Sequence, residues 1–104
     1  MYDVRLSTSA EDDLFEIATY INEQLQNQNA AVSTIAKIEG SLQKRLSTFP
    51  YSYPIHSYLE SFGIEYRRTI INNFSAFYMI DDLAMTVTIT HVLYNKRDFG
   101  KVFK

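Results

Sequence analysis

The chain has 104 residues, 46% of them hydrophobic, with eight tyrosines and seven phenylalanines, which fits one domain over residues 1–104 with one core and argues against a disordered chain. It has no cysteine, which excludes disulfides, thiolate metal sites and cysteine nucleophiles. Ten basic against twelve acidic residues give a net charge of -2, the wrong balance for a surface that grips nucleic acid all over.

No basic region followed by a long apolar run opens the chain, and no segment approaches the length of a membrane span, so the expectation is a cytoplasmic protein that does not enter membranes. Charge is unevenly placed. Asp3, Glu11, Asp12, Asp13, Glu16 and Glu23 face one arginine, Arg5, in the first thirty residues, whereas the end of the chain gathers Lys96, Arg97, Lys101 and Lys104 against Asp98.

Tyr2, Val4 and Leu6 alternate with Asp3 and Arg5, the pattern of a short strand with one buried face. Thr8 and Glu11 have capping-box spacing, and the acids that follow sit where the helix dipole favours negative charge. Ala10, Leu14, Ile17, Ile21 and Leu25 recur at helical spacing. Asn29 is placed to cap a second helix, striped by Ala31, Ile35, Ile38, Leu42 and Leu46, which Pro50 stops near Thr48. Gly40, inside it, is read as a point of close approach to the first helix. The short link makes the two an antiparallel hairpin.

Residues 50–63 read as a loop rich in aromatic side chains, with His56 at the surface. Ile64–Ile71 is the next strand, Asn72-Asn73 a tight turn, Phe74–Ile80 a strand, Asp81–Ala84 a turn, and Thr86–Tyr94 a β-branched strand. Short turns force these three into an antiparallel meander. The expected fold class is therefore α+β: one strand, a helix hairpin, then the meander, as one antiparallel sheet with both helices on one face. The helices should pack through Leu14, Ile17, Ile21, Ile35, Ile38 and Leu42 against Val4, Leu6, Tyr78 and Ile89.

No phosphate-binding glycine loop, metalloprotease helix or nucleophile elbow is present. Two histidines without cysteine make no zinc site, so neither metal nor cofactor is expected. The remaining chemistry is cationic. Arg67 and Arg68 point to opposite faces of their strand; His91 and Tyr94 end the last strand, and Lys96 and Arg97 follow. Strict alternation puts His91 on the face of Val87, Ile89 and Leu93, and a β-bulge would reverse that. One arginine pairing with Glu65 or Asp98 and the other solvated is the purely structural alternative.

The stretch from Tyr66-Arg67-Arg68 through Asn73-Phe74-Ser75-Ala76-Phe77-Tyr78-Met79-Ile80-Asp81 resembles the central hairpin of RelE/ParE toxins, and His91-Val92-Leu93-Tyr94-Asn95-Lys96-Arg97-Asp98 resembles their ending. The element order matches across nearly the whole chain. The resemblance implies the growth-inhibiting half of a type II toxin–antitoxin pair, of the plasmid-stabilization kind, with a cognate antitoxin as partner and no small-molecule substrate. It implies one of two activities: ribosome-dependent mRNA cleavage, as in RelE-like members, or inhibition of DNA gyrase, as in ParE-like members. Aligned with the nucleases, Arg67 keeps one basic position and Arg97 the late arginine. The other basic positions fall on Thr69 and Ser75, and the terminal tyrosine falls on Phe103. His91 and Tyr94 imitate a second nuclease branch without its spacing. A nuclease would thus draw on Arg67, His91, Tyr94 and Arg97, acting on mRNA in the ribosome. A gyrase inhibitor, the favoured reading, would bind target or antitoxin through Arg67, Arg68, Lys96, Arg97, Lys101 and Lys104. A non-toxic relic that only binds antitoxin is the third reading.

Overall fold

A computed structural model describes residues 1–56 and 65–95. The elements run β1 (Asp3–Leu6), α1 (Thr8–Leu25), α2 (Gln28–Thr48), a 3-10 turn at Pro50–Ser52, β2 (Ile55–His56), β3 (Tyr66–Ile71), β4 (Phe74–Asp81) and β5 (Thr86–Tyr94). They form one five-stranded sheet in the order β1-β5-β4-β3-β2. The expected α+β arrangement of strand, helix hairpin and antiparallel meander is present.

Three details differ. The sheet is not wholly antiparallel, because β1 pairs in parallel with β5, Asp3 opposite Thr86 and Leu6 opposite Ile89. Residues 55 and 56, read as loop, form a short edge strand against Tyr66 and Arg67 of β3. The helix caps are shifted. Ser7, not Thr8, caps α1, its Oγ accepting the Ala10 amide at 3.0 Å, and Asn27, not Asn29, caps α2 by accepting the Ala30 amide at 3.1 Å. In both cases the side-chain oxygen meets the amide three residues on, satisfying one of the orphan donors of the first turn.

Both helices cover the same face of the sheet. Leu14 of α1 and Ile38, Leu42 and Leu46 of α2 pack with Ile71, Ala76, Tyr78, Val87, Ile89 and Val92, with Val4, Leu6, Ile17 and Ile35 at the margin. Each such aliphatic side chain contributes about 1.5–3 kcal/mol on burial. The stripe of α1 is shorter than its sequence suggests, since Leu25 is 63% exposed. Gly40 is no helix–helix contact: a Cβ there would meet nothing within 4 Å.

The meander turns use positive φ at Asn72 (53°) and Met85 (52°). Asp81 is turn chemistry, its Oδ1 accepting the Ala84 amide at 3.1 Å. Between β4 and β5 the register slips: Phe77 faces His91 and Tyr78 faces Ile89, leaving Thr90 as the extra residue of a bulge. Val87 and Ile89 therefore face the helices before it and Val92 after it, whereas His91 comes to lie opposite Phe77 and beside Leu93 on the other face.

Candidate functional site

The cations of the meander are divided between the two faces. Arg67 turns towards the 3-10 turn that follows α2. Its Nη1 donates to the Tyr53 carbonyl at 2.8 Å, its Nη2 pairs with Glu65 at 2.9 Å, and the guanidinium lies 4.8 Å from the centre of the Tyr51 ring. With its side chain only 14% exposed, Arg67 is built into the fold, where it ties a turn without regular backbone pairing to β3. Thr69, on the same face, is buried, and its hydroxyl accepts from Arg45 of α2 at 3.0 Å; Arg45 also donates to the Ile70 carbonyl at 2.8 Å. One helix arginine thus anchors α2 across β3.

Arg68 points to the face away from the helices. Its Nε donates to the buried Ser75 hydroxyl at 2.9 Å, and that hydroxyl is bonded in turn to Asn95. The guanidinium also approaches the ring of the fully buried Phe77, 5.9 Å from its centre. His56 is not a surface histidine: it is half-buried, with its ring edge-on to Phe77 at 5.1 Å. Burial first, and the charge of Arg68 second, lower its pKa below the ordinary histidine value, because both disfavour the charged ring.

His91 reaches the open flank of β5. β1 covers that flank only as far as Ile89, and side chains of the α1 segment close the next stretch. Ser7 Oγ donates to the Thr90 carbonyl at 3.0 Å, and Asp13 Oδ2 accepts both the Val92 amide at 3.0 Å and His91 Nδ1 at 3.1 Å. Asp13 belongs to the acidic cluster that opens α1, and its partners, 78 and 79 residues distant, leave no local signal. Tyr94 lies beyond, its ring edge-on to Phe74 at 5.6 Å. Arg68 and His91 thus share the face away from the helices, in register on either side of Phe77, whereas Arg67 and Tyr94 lie on the helix side at different places, Arg67 against Tyr53 and Tyr94 against Phe74. Lys96, Arg97, Lys101, Phe103 and Lys104 lie outside the described residues.

A second cluster escaped the sequence reading. Asp82, in the β4–β5 turn, accepts Tyr2 Oη at 2.6 Å and Tyr51 Oη at 2.5 Å. These hydrogen bonds hold its carboxyl below the ordinary carboxylate range and push the Tyr51 phenol up to about 12, since each favours the charged acceptor and the neutral donor. Tyr78 donates to the Pro50 carbonyl at 2.5 Å, and burial raises its pKa strongly. Among the described residues no helix is long and apolar enough to cross a membrane.

The family described as ParE toxin of type II toxin-antitoxin system, parDE, matches residues 4–99. No curated protein matches the chain. Among solved structures, the chromosomal ParDE TA system from P. aeruginosa superposes with a TM-score of 0.66 at 16% identity, covering 90% of this chain and 96% of that one. The toxin–antitoxin complex RelBE2 from Mycobacterium tuberculosis superposes with a TM-score of 0.64 at 23% identity, covering 89% and 90%. At these identities the likeness is one of fold. The family match, which spans nearly the whole chain, carries the assignment: this protein belongs to the ParE toxin family of type II toxin–antitoxin systems.

Proposed function

We propose that this toxin arrests growth by binding DNA gyrase and that a cognate antitoxin holds it inactive. The observation that carries this reading is the fate of Arg67. A ribosome-dependent nuclease needs cations around the reacting phosphate and groups that move protons to and from it. Arg67, the basic position that β3 keeps, is bonded to the Tyr53 carbonyl and to Glu65 on the helix side of the sheet. Thr69 and Ser75 stand where the other cations would be, and both are buried and hydrogen-bonded. A protein–protein inhibitor needs no proton-transfer pair. Arg68 and the tail cations Lys96, Arg97, Lys101 and Lys104 then supply steering and rim contacts, and the antitoxin is acidic where it meets that tail.

The test is expression of the chain alone in growing cells, following DNA supercoiling and protein synthesis from the moment of induction. Supercoiling fails first on this account. Translation failing first, with cleaved transcripts, points to the nuclease. Normal growth points to a relic that binds antitoxin only.

A further inference from the structure

The helix hairpin buries one face against the sheet and turns the opposite face outward. Along that outer face, between α1 and α2, runs a furrow of about 610 Å³. Leu14 and Ala31 lie at its floor, and Phe15, Ala18, Val32 and Ala36 form its walls. Phe15 is 73% exposed and Val32 62%, and apolar side chains gathered in one exposed strip mark a contact surface. Glu39 is the one charged residue that lines the furrow.

Val32, Ala36 and Gly40 follow at four-residue spacing, which sets them on one side of α2. Glycine weakens a helix interior, and nothing in this chain lies within 4 Å of a Cβ added at Gly40. Its bareness therefore serves no contact between α1 and α2. Counted outwards from the link at Gln26 and Asn27, Phe15 of α1 comes level with the stretch between Ala36 and Gly40 of α2. The hairpin thus carries a large apolar knob on one helix and, at the same height on the other, a flat of small residues that would receive it.

Charge is divided the same way. Helix α1 holds Glu11, Asp12, Asp13, Glu16 and Glu23 with no basic residue, whereas α2 exposes Lys37 and Lys44. The two lysines lie three and four residues from Gly40, so they flank the flat of small residues. Asp12, exposed and three residues before Phe15, flanks the knob.

We infer that the outer face of the hairpin binds a second copy of this chain about a twofold axis running along the furrow. That symmetry lays α1 of each copy antiparallel on α2 of the other. Phe15 then seats over Ala36 and Gly40 of the second copy, and Asp12 falls between its Lys37 and Lys44. A twofold axis across the furrow would instead set acidic α1 on acidic α1, which like charge disfavours. At 1.5 Å per residue and about 10 Å of width each, the two helices present about 600 Å² per copy, near the lower end of specific interfaces. The dimer is therefore reversible and depends on concentration. The inference does not depend on which target the toxin has.

The experiment follows the full chain, made by cell-free synthesis, by sedimentation across a concentration series. The weight-average mass is expected to rise from 12.1 kDa towards twice that value. Phe15→Asp, at a site exposed enough to leave folding intact, is expected to weaken association about tenfold or more. Leu83→Asp, fully exposed in the β4–β5 turn, leaves it unchanged. Asp12→Lys and Lys44→Glu are each expected to weaken it about threefold or more. Mixed in equal amounts, these two variants regain the wild-type association, because a mixed dimer pairs Lys with Glu at one contact and Asp with Lys at the other. A chain that stays monomeric at every concentration overturns the inference and leaves the furrow to a different protein. A dimer that Phe15→Asp leaves intact, or that mixing does not restore, overturns it as well.

Discussion

Asp13 holds the end of β5 to helix α1 through one oxygen, Oδ2, which accepts the Val92 amide at 3.0 Å and His91 Nδ1 at 3.1 Å. Neither side chain is far into solvent, with Asp13 16% and His91 24% exposed. The pairing closes part of a sheet edge that β1 leaves uncovered, and it gives His91 a structural task.

Asp13→Ala leaves a half-buried amide and an imidazole without this acceptor, and the expected loss of folding stability is about 1–3 kcal/mol. Urea denaturation checks it through a lower midpoint at unchanged slope. The same variant should raise the exchange rate of the Val92 amide.

Gly40→Ala should act in the opposite direction. Gly40 lies inside α2 with nothing within 4 Å of an added Cβ, so alanine brings its helix propensity and a less disordered unfolded chain without a clash, worth about 1 kcal/mol. For a domain of this size that is a rise in melting temperature of about 4–8 °C by calorimetry.

Arg67→Ala should unfold the region around the 3-10 turn before it affects any contact with a target. Loss of the charged hydrogen bonds to the Tyr53 carbonyl and Glu65 is expected to cost about 1.5–3 kcal/mol. Charge reversal of Arg97 and Lys101, by contrast, should weaken growth inhibition while leaving the thermal midpoint in place. Melting curves and growth assays on the same variants separate the two kinds of cation.

The Tyr2–Asp82–Tyr51 cluster sets a pH signature at each extreme. The folded Asp82 carboxyl lies below its ordinary value of 3.8, so its contribution is present above that pH and is lost as pH falls through the lower folded value. Tyr51 is raised from 10.0 to about 12, so its contribution is complete below 10 and disappears as pH climbs towards 12. Asp82→Asn keeps a carbonyl oxygen but removes the titrating carboxylate whose hydrogen bonds produce both shifts. The stability gap between wild type and Asp82→Asn should be constant at neutral pH and narrow at both ends, in thermal melts taken across the range.

The helix hairpin and the meander were legible because they rest on local periodicities: the stripe Ala31, Ile35, Ile38, Leu42, Leu46 in α2 and the β-branched run of β5 bounded by asparagine and aspartate turns. The caps were displaced by one or two residues because Ser7 and Thr8, or Asn27 and Asn29, are chemically equivalent candidates, and only the backbone angle at the start decides between them. The parallel pairing of β1 was illegible, since alternation is the same for either strand direction. Two-residue β2 owes its existence to β3, not to its own sequence. The bulge at Thr90, which moves His91 to the other face, has no composition signal. The Asp13 and Asp82 contacts join residues about eighty positions apart, and each acid also had an adequate local explanation as helix start or turn.

The most direct test of the proposed mechanism is a purified assay in two arms, with wild type, His91→Gln and Tyr94→Phe added to gyrase acting on relaxed plasmid and to programmed ribosomes carrying a labelled transcript. The account predicts inhibited supercoiling that survives both substitutions, and intact transcript throughout. Removing a general acid or base typically costs about 10²–10⁴-fold in rate, so transcript cleavage by wild type that vanishes in His91→Gln, from a protein that stays folded, would contradict it.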